Sequence, residues 1–151
     1  MRQDGGPAAT PLIFEILAGY FKADQNRIKE LGIFRVNSSD SRIAELELNM
    51  SQGNHAFIRD VTDPHIVTNY WKRVLREMKE PIIPFDMYVP FGKILDGDAM
   101  LLSFSSSCDT NIVQDDSIQL LKLKSALNEL PDINFNTLKY HIAFFREVIS
   151  F

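Results

Sequence analysis

Few residues in this chain have a type and a spacing that could do chemistry, and most of those are cationic. Arg35 sits inside the short apolar stretch Leu31 to Val36 (LGIFRV), between Phe34 and Val36. Read from its neighbours alone, such an arginine snorkels, with its stem on a core segment and its head in water. Lys72, Arg73 and Arg76 recur at helical spacing and read alone as a solvated helix face. Cys108 lies in a polar stretch with no histidine near it in sequence, which does not make a nucleophile. His55, Asp60, Asp63 and His65 could sketch a metal site, but their spacings match no compact ligand motif, and Asp63 is better read as a helix cap. Ser103 to Ser107 could accept phosphate, although a run of serines is ordinarily loop. No glycine-rich phosphate cradle is present, so the chain is not expected to bind GTP itself, and no cofactor of its own is expected.

The elements that must position these side chains are helices. Thr10-Pro11 reads as a helix start, with Leu12, Ile13, Ile16, Leu17, Tyr20 and Phe21 on one apolar face. Asn37 to Asp40 are capping residues, and Ile43, Leu46 and Met50 continue as a second helix closed by Ser51 to Asn54. Asp63-Pro64 is the clearest start, a cap followed by proline. From it Ile66, Val67, Tyr70, Trp71, Val74, Leu75 and Met78 form a continuous buried stripe, with Asn69, Lys72, Arg73 and Arg76 opposite. Pro81 and Pro84 force an extended segment from Glu80 to Phe85. Met87 to Leu95 reads as a short helix with Tyr88, Phe91, Ile94 and Leu95 facing inward. Residues 97–116 read as a serine-rich loop, with Asp115 and Asp116 at the next helix start. Leu120, Leu123, Leu127 and Leu130 give that helix, stopped by Pro131. Asn134 or Asn136 caps a last one, lined by Leu138, Ile142, Phe145 and Ile149. No segment alternates with period two for long enough to make a strand, so the class is all-α with six or seven helices.

Composition bounds the partners. With 151 residues, 45% apolar and 11% aromatic, the chain suits one globular domain over residues 10–151. Residues 1–9 lack an apolar core and read as a loose tail rather than a signal peptide. A net charge of −4 argues against nucleic acid or an anionic membrane as the main partner. A single cysteine excludes an internal disulfide and suits a reducing compartment. No apolar run approaches the roughly 20 residues of a membrane span, so the cytosol is the expected location.

Two segments carry a resemblance. Gly32-Ile33-Phe34-Arg35-Val36, followed by serines and Arg42-Ile43, is similar to the signature loop and following helix of RhoGAP domains, the GTPase-activating domains for Rho-family small GTPases. Lys72 to Pro81 (KRVLREMKEP) is similar to the family's second signature, a lysine followed by Leu-Arg-Glu-Leu-Pro-Glu-Pro. Leu127 to Leu138 (LNELPDINFNTL) also resembles the family's stretch of Leu-Pro, Asn and Thr-Leu. The match runs from about Pro11 to the C-terminus, with the serine-rich stretch as an insertion. Leu31 stands where the family more often has an acidic residue, and Lys79 replaces the first proline of Pro-Glu-Pro.

The resemblance implies a helical bundle that accelerates GTP hydrolysis by a GTP-bound Rho-family GTPase. In it Arg35 would be an arginine finger, lent to an active site whose GTP and Mg²⁺ belong to the partner. Gly32 would permit the tight turn that projects it. Lys72 and Arg76, one turn apart, would support the finger loop and touch the GTPase, and Pro81 would fix the segment beside them. The family's further asparagine-bearing helix has no counterpart here, so a C-terminally incomplete domain is expected. From that follow two further expectations, self-association through an unfilled groove and, as the alternative function, a catalytically silent GTPase-binding or scaffold domain. Recruitment to membranes would then fall to flanking regions or to the partner.

Overall fold

The computed structural model of the chain describes residues 10–95 and 116–151. The expected tail, the serine-rich loop up to Asp115, and Cys108 lie outside the described residues. The helices are α1 (Leu12–Ala23), α2 (Asp40–Ser51), α3 (Pro64–Glu77), α4 (Phe85–Leu95), α5 (Asp116–Glu129) and α6 (Asp132–Val148). Short 3-10 segments follow α1 at Gln25–Arg27 and α2 at His55–Asp60. No strand occurs among the described residues, and the fold is all-α as expected. No helix there is long and apolar enough to cross a membrane.

Helix α3 is the axis of the molecule. The Asp63 carboxylate accepts the His65 backbone N–H at 2.8 Å and Pro64 takes the first helical position, so the start is capped as the sequence predicts. Ile66, Val67, Thr68, Tyr70 and Trp71 are buried, and Val74, Leu75 and Met78 pack against the same core. Trp71 stacks on Phe144 of α6 at 4.6 Å between ring centroids, and Phe14, Phe21, Phe34 and Phe145 surround the pair. Such ring pairs contribute about 0.5–1.5 kcal/mol each beyond burial alone. The Trp71 indole N–H donates to His141 Nε2 at 3.1 Å, and His141 Nδ1–H donates to the Thr137 carbonyl at 2.7 Å. One neutral imidazole therefore joins α3 to α6 with both ring nitrogens satisfied.

The expected faces of α1 and α6 hold in part: Leu17, Tyr20 and Phe21 are buried and Ile13, Ile16 and Phe145 pack against the same core, but other positions differ. On α1 the buried residues are Phe14, Leu17, Ala18, Tyr20 and Phe21, whereas Leu12 is 59% exposed. Pro11, not Thr10, is the flanking residue, and no side chain caps that helix. On α6 the buried residues are Thr137, His141 and Phe144, each one position before the expected Leu138, Ile142 and Phe145. Ile142 and Ile149 are exposed. The reason is chemical: His141 and Thr137 bring their own hydrogen bonds inward, so they bury without leaving an unpaired polar group. Neither expected asparagine caps α6, because the helix starts behind Pro131 and Asn134 reaches across to another segment. Helix α4 begins at Phe85, where the Pro84 carbonyl accepts the Met87 N–H, and Tyr88 points to solvent.

A second, smaller cluster joins α4, α5 and α6. Phe91, Ala126 and Leu130 are buried in it, with Leu123, Leu127, Phe135 and Leu138 packed around them. The expected Leu120 contribution fails, since that side chain is 60% exposed. The side chain of Leu95 is outside the described residues.

Candidate functional site

The segment from Arg27 to Val36 is a loop held at several points. At its start the Arg27 guanidinium lies 3.9 Å over the Tyr20 ring and donates to the Tyr20 carbonyl at 2.8 Å. Ile28 is buried beside it. The chain then turns at Gly32, whose φ of +77° suits glycine, and a Cβ there would lie 2.8 Å from Val36 Cγ2. The Gly32 carbonyl accepts both the Arg35 N–H at 2.8 Å and the Val36 N–H at 2.9 Å, which closes a compact turn. Phe34 also has a left-handed backbone, with φ of +65°, a conformation costing on the order of 1 kcal/mol for a residue with a Cβ. Its ring compensates by packing 5.9 Å from Trp71 and 5.1 Å from Phe145. With Phe34 anchored inward, Arg35 is exposed, and among the described residues no hydrogen bond or ion pair holds its guanidinium.

Helix α3 lies behind this turn. The Lys72 ammonium donates to the Phe34 carbonyl at 3.3 Å. The Asn69 amide donates to the Val36 carbonyl at 2.9 Å. Arg76 is exposed one turn further on, and with Lys72, Asn69, Asn37 and Ser38 it lines a polar depression of about 360 Å³. Arg73 lines the same depression but is committed elsewhere, to Glu47 at 3.1 Å and Asp40 at 3.6 Å on α2. The expected face of three equivalent exposed cations is thus corrected: Lys72 and Arg73 are half-buried, and Arg73 ties α3 to α2.

The sequence-predicted residues therefore separate into two places. Gly32 and Arg35 lie on the turn, Lys72 reaches it from α3, and Arg76 lines the depression together with Lys72. Pro81 does not line that depression; it lies beyond the end of α3, where Asn134 of α6 donates to its carbonyl at 3.2 Å and to that of Ile82 at 3.1 Å. The bracing by Asn69 was missed, although its place three residues before Lys72 on the polar face was a visible signal. The left-handed Phe34 was not visible at all, since phenylalanine is a poor marker for that backbone.

Two signature segments far apart in sequence thus meet as one surface, an exposed arginine on a strained turn with a lysine behind it. A family model described as the RhoGAP domain matches residues 11–151. The chain is 27% identical to Rho GTPase-activating protein 22 of Mus musculus over 143 residues, 95% of this chain and 18% of that protein. It is 27% identical to Rho GTPase-activating protein 24 of Homo sapiens over 146 residues, 97% of this chain and 17% of that protein. It is 32% identical to the GEM-interacting protein of Homo sapiens over 112 residues, 74% of this chain and 11% of that protein. The chain thus spans less than a fifth of the length of these curated relatives. With the model match covering nearly the whole chain, this all-helical protein belongs to the RhoGAP domain family.

Proposed function

We propose that the chain accelerates GTP hydrolysis by a GTP-bound Rho-family small GTPase, inserting Arg35 into the partner's active site. The carrying observation is the state of Arg35: exposed, unpaired among the described residues, and set on a turn whose strain the core compensates. Arg59 and Arg146 are also exposed and unpaired among the described residues, and what sets Arg35 apart is its place on that turn. GTP hydrolysis spreads negative charge over the transferred phosphoryl group and the leaving oxygen, so placed positive charge lowers the barrier. A guanidinium is permanently charged, planar and multiply donating, which suits that charge distribution. Inserted arginines of this kind contribute roughly 10³–10⁵ in rate, or about 4–7 kcal/mol of barrier. Lys72 supports the turn from behind, and Arg76 presents a further cation to the GTPase. The nucleotide and its Mg²⁺ are the partner's.

The test is phosphate release from GTP-loaded Rho-type and Rac-type GTPases, with and without the chain. Arg35→Ala is expected to lower the stimulated rate by roughly 10³-fold or more. Affinity for the GTP-bound partner changes far less, because the interaction strengthens mainly in the transition state. Arg35→Lys restores little, since a point charge does not reproduce the guanidinium fork. Full stimulation by Arg35→Ala overturns the reading.

A further inference from the structure

Asn69 lies on α3 three residues before Lys72, and its side chain is half-buried against the turn that carries Arg35. Its amide nitrogen donates twice, to the Val36 carbonyl at 2.9 Å and to the His65 carbonyl at 2.8 Å. Only the NH₂ end of the amide can meet two carbonyl oxygens, so the orientation is fixed by chemistry. The bond to His65, one turn back on the same helix, restrains the rotamer and leaves the second N–H aimed at the loop. Helix α3 is itself immobilised by its buried face from Ile66 to Trp71. The residues on either side of Arg35 are therefore both tethered to one rigid element, Phe34 by Lys72 and Val36 by Asn69. Of the two tethers the Asn69 bond is shorter, and its arm has fewer rotatable bonds than that of lysine.

We propose that Asn69 is a positioning residue for Arg35: it fixes the Val36 peptide and thereby the direction in which the guanidinium leaves the turn. This rests on the reading of Arg35 as the inserted arginine. Catalysis by a placed charge depends steeply on position, so a loop freed at Val36 spends less time in the productive geometry. Binding of the GTPase, which draws on a wider surface, is affected much less.

The experiment is single-turnover hydrolysis by a GTP-loaded Rho-type or Rac-type GTPase, whichever the chain stimulates more, over a concentration series of the chain. Asn69→Ala and the near-isosteric Asn69→Asp are compared with the parent, alone and in an Arg35→Ala background, each with a thermal melt. The expected result is a maximal rate lowered about 3–10-fold, the size of one lost hydrogen bond, with the half-saturating concentration within about twofold. Asn69→Asp, which turns an oxygen toward the two carbonyls, falls at least as far as Asn69→Ala. In the Arg35→Ala background neither change lowers the rate further. Unchanged maximal rates beside a lost rate in Arg35→Ala overturn the brace alone. The same loss with and without Arg35, or a rate that tracks only the melt, assigns Asn69 to general structure and also overturns it. A full rate in Arg35→Ala by itself overturns the arginine assignment and the brace with it.

Discussion

Gly32 and Gly53 offer a controlled comparison at single residues, because both hold a left-handed backbone but differ in what surrounds them. Gly32 has φ of +77° and its missing Cβ faces Val36 Cγ2 at 2.8 Å, whereas Gly53, with φ of +79°, faces open space. Gly53→Ala meets only backbone strain, about 1 kcal/mol, at the end of α2. Gly32→Ala adds a clash that pushes Val36 away from the turn, for a total of about 1–3 kcal/mol. Val36 is also the residue that Asn69 holds, so the displacement reaches the Arg35 turn. Urea melts should place Gly32→Ala below Gly53→Ala, and phosphate-release assays should show lowered stimulation for Gly32→Ala only. Equal stimulation by the two variants would mean that the turn tolerates displacement.

Between elements, two polar links hold α3 in place, and they answer differently to conditions. Arg73 reaches Glu47 and Asp40 on α2, a partly exposed arrangement worth little more than about 1 kcal/mol. His141 of α6 is buried between Trp71 and Phe14, with its ring 4.4 Å from that of Phe14. Burial lowers its pKa below the ordinary 6.5, partly offset by the hydrogen bond to the Thr137 carbonyl. Protonation would also turn Nε2 into a donor facing the Trp71 N–H. The sign of the linkage follows. As pH falls through 6.5 the unfolded chain takes up the proton before the folded chain does. The contribution of His141 is therefore complete above that value and is lost as pH falls through the lower folded pKa. Urea midpoints measured at about pH 7.5 and about pH 5.5 should fall on acidification, and His141→Gln should flatten that dependence. An unchanged slope in His141→Gln would assign the acid sensitivity to other groups.

At the scale of the molecule, the two hydrophobic clusters are unequal. The larger one carries Phe14, Leu17, Phe21, Leu46, Val67 and Trp71, all essentially inaccessible, and it is the one that the Arg35 turn rests on through Phe34. In the smaller one only Phe91, Ala126 and Leu130 are buried among the described residues. Helix α5 keeps Ile118, Leu120 and Leu121 more than half exposed, and α4 does the same with Phe85, Tyr88 and Val89. Local opening is governed by buried apolar contact, so the α4–α5 pair should open at lower free energy than α3. Native-state hydrogen exchange should show amides of α3 protected close to the global limit and those of α5 exchanging well before it. Equal protection in the two helices would show that the chain unfolds as a single unit.

The sequence by itself determined that the chain is helical, where α3 begins, and which segments carry the family's signatures. Those are local or pattern properties: Asp63-Pro64 caps a helix wherever it folds, and the stripe from Ile66 to Trp71 has one periodicity that only a helix can bury. Tertiary structure decided which face of α1 and α6 turned inward, because Phe14 and His141 are buried by partners on other helices. It also separated cations that look alike in sequence. Arg73 found acids on α2, Lys72 found the Phe34 carbonyl, and Arg35 was left exposed. Hydropathy ranks single residues by their transfer to water, whereas a polar side chain's fate depends on whether a complementary atom arrives from elsewhere in the fold. Asn69 shows the difference most plainly, since its partner Val36 lies 33 residues away and is brought within reach only when α3 packs behind the turn.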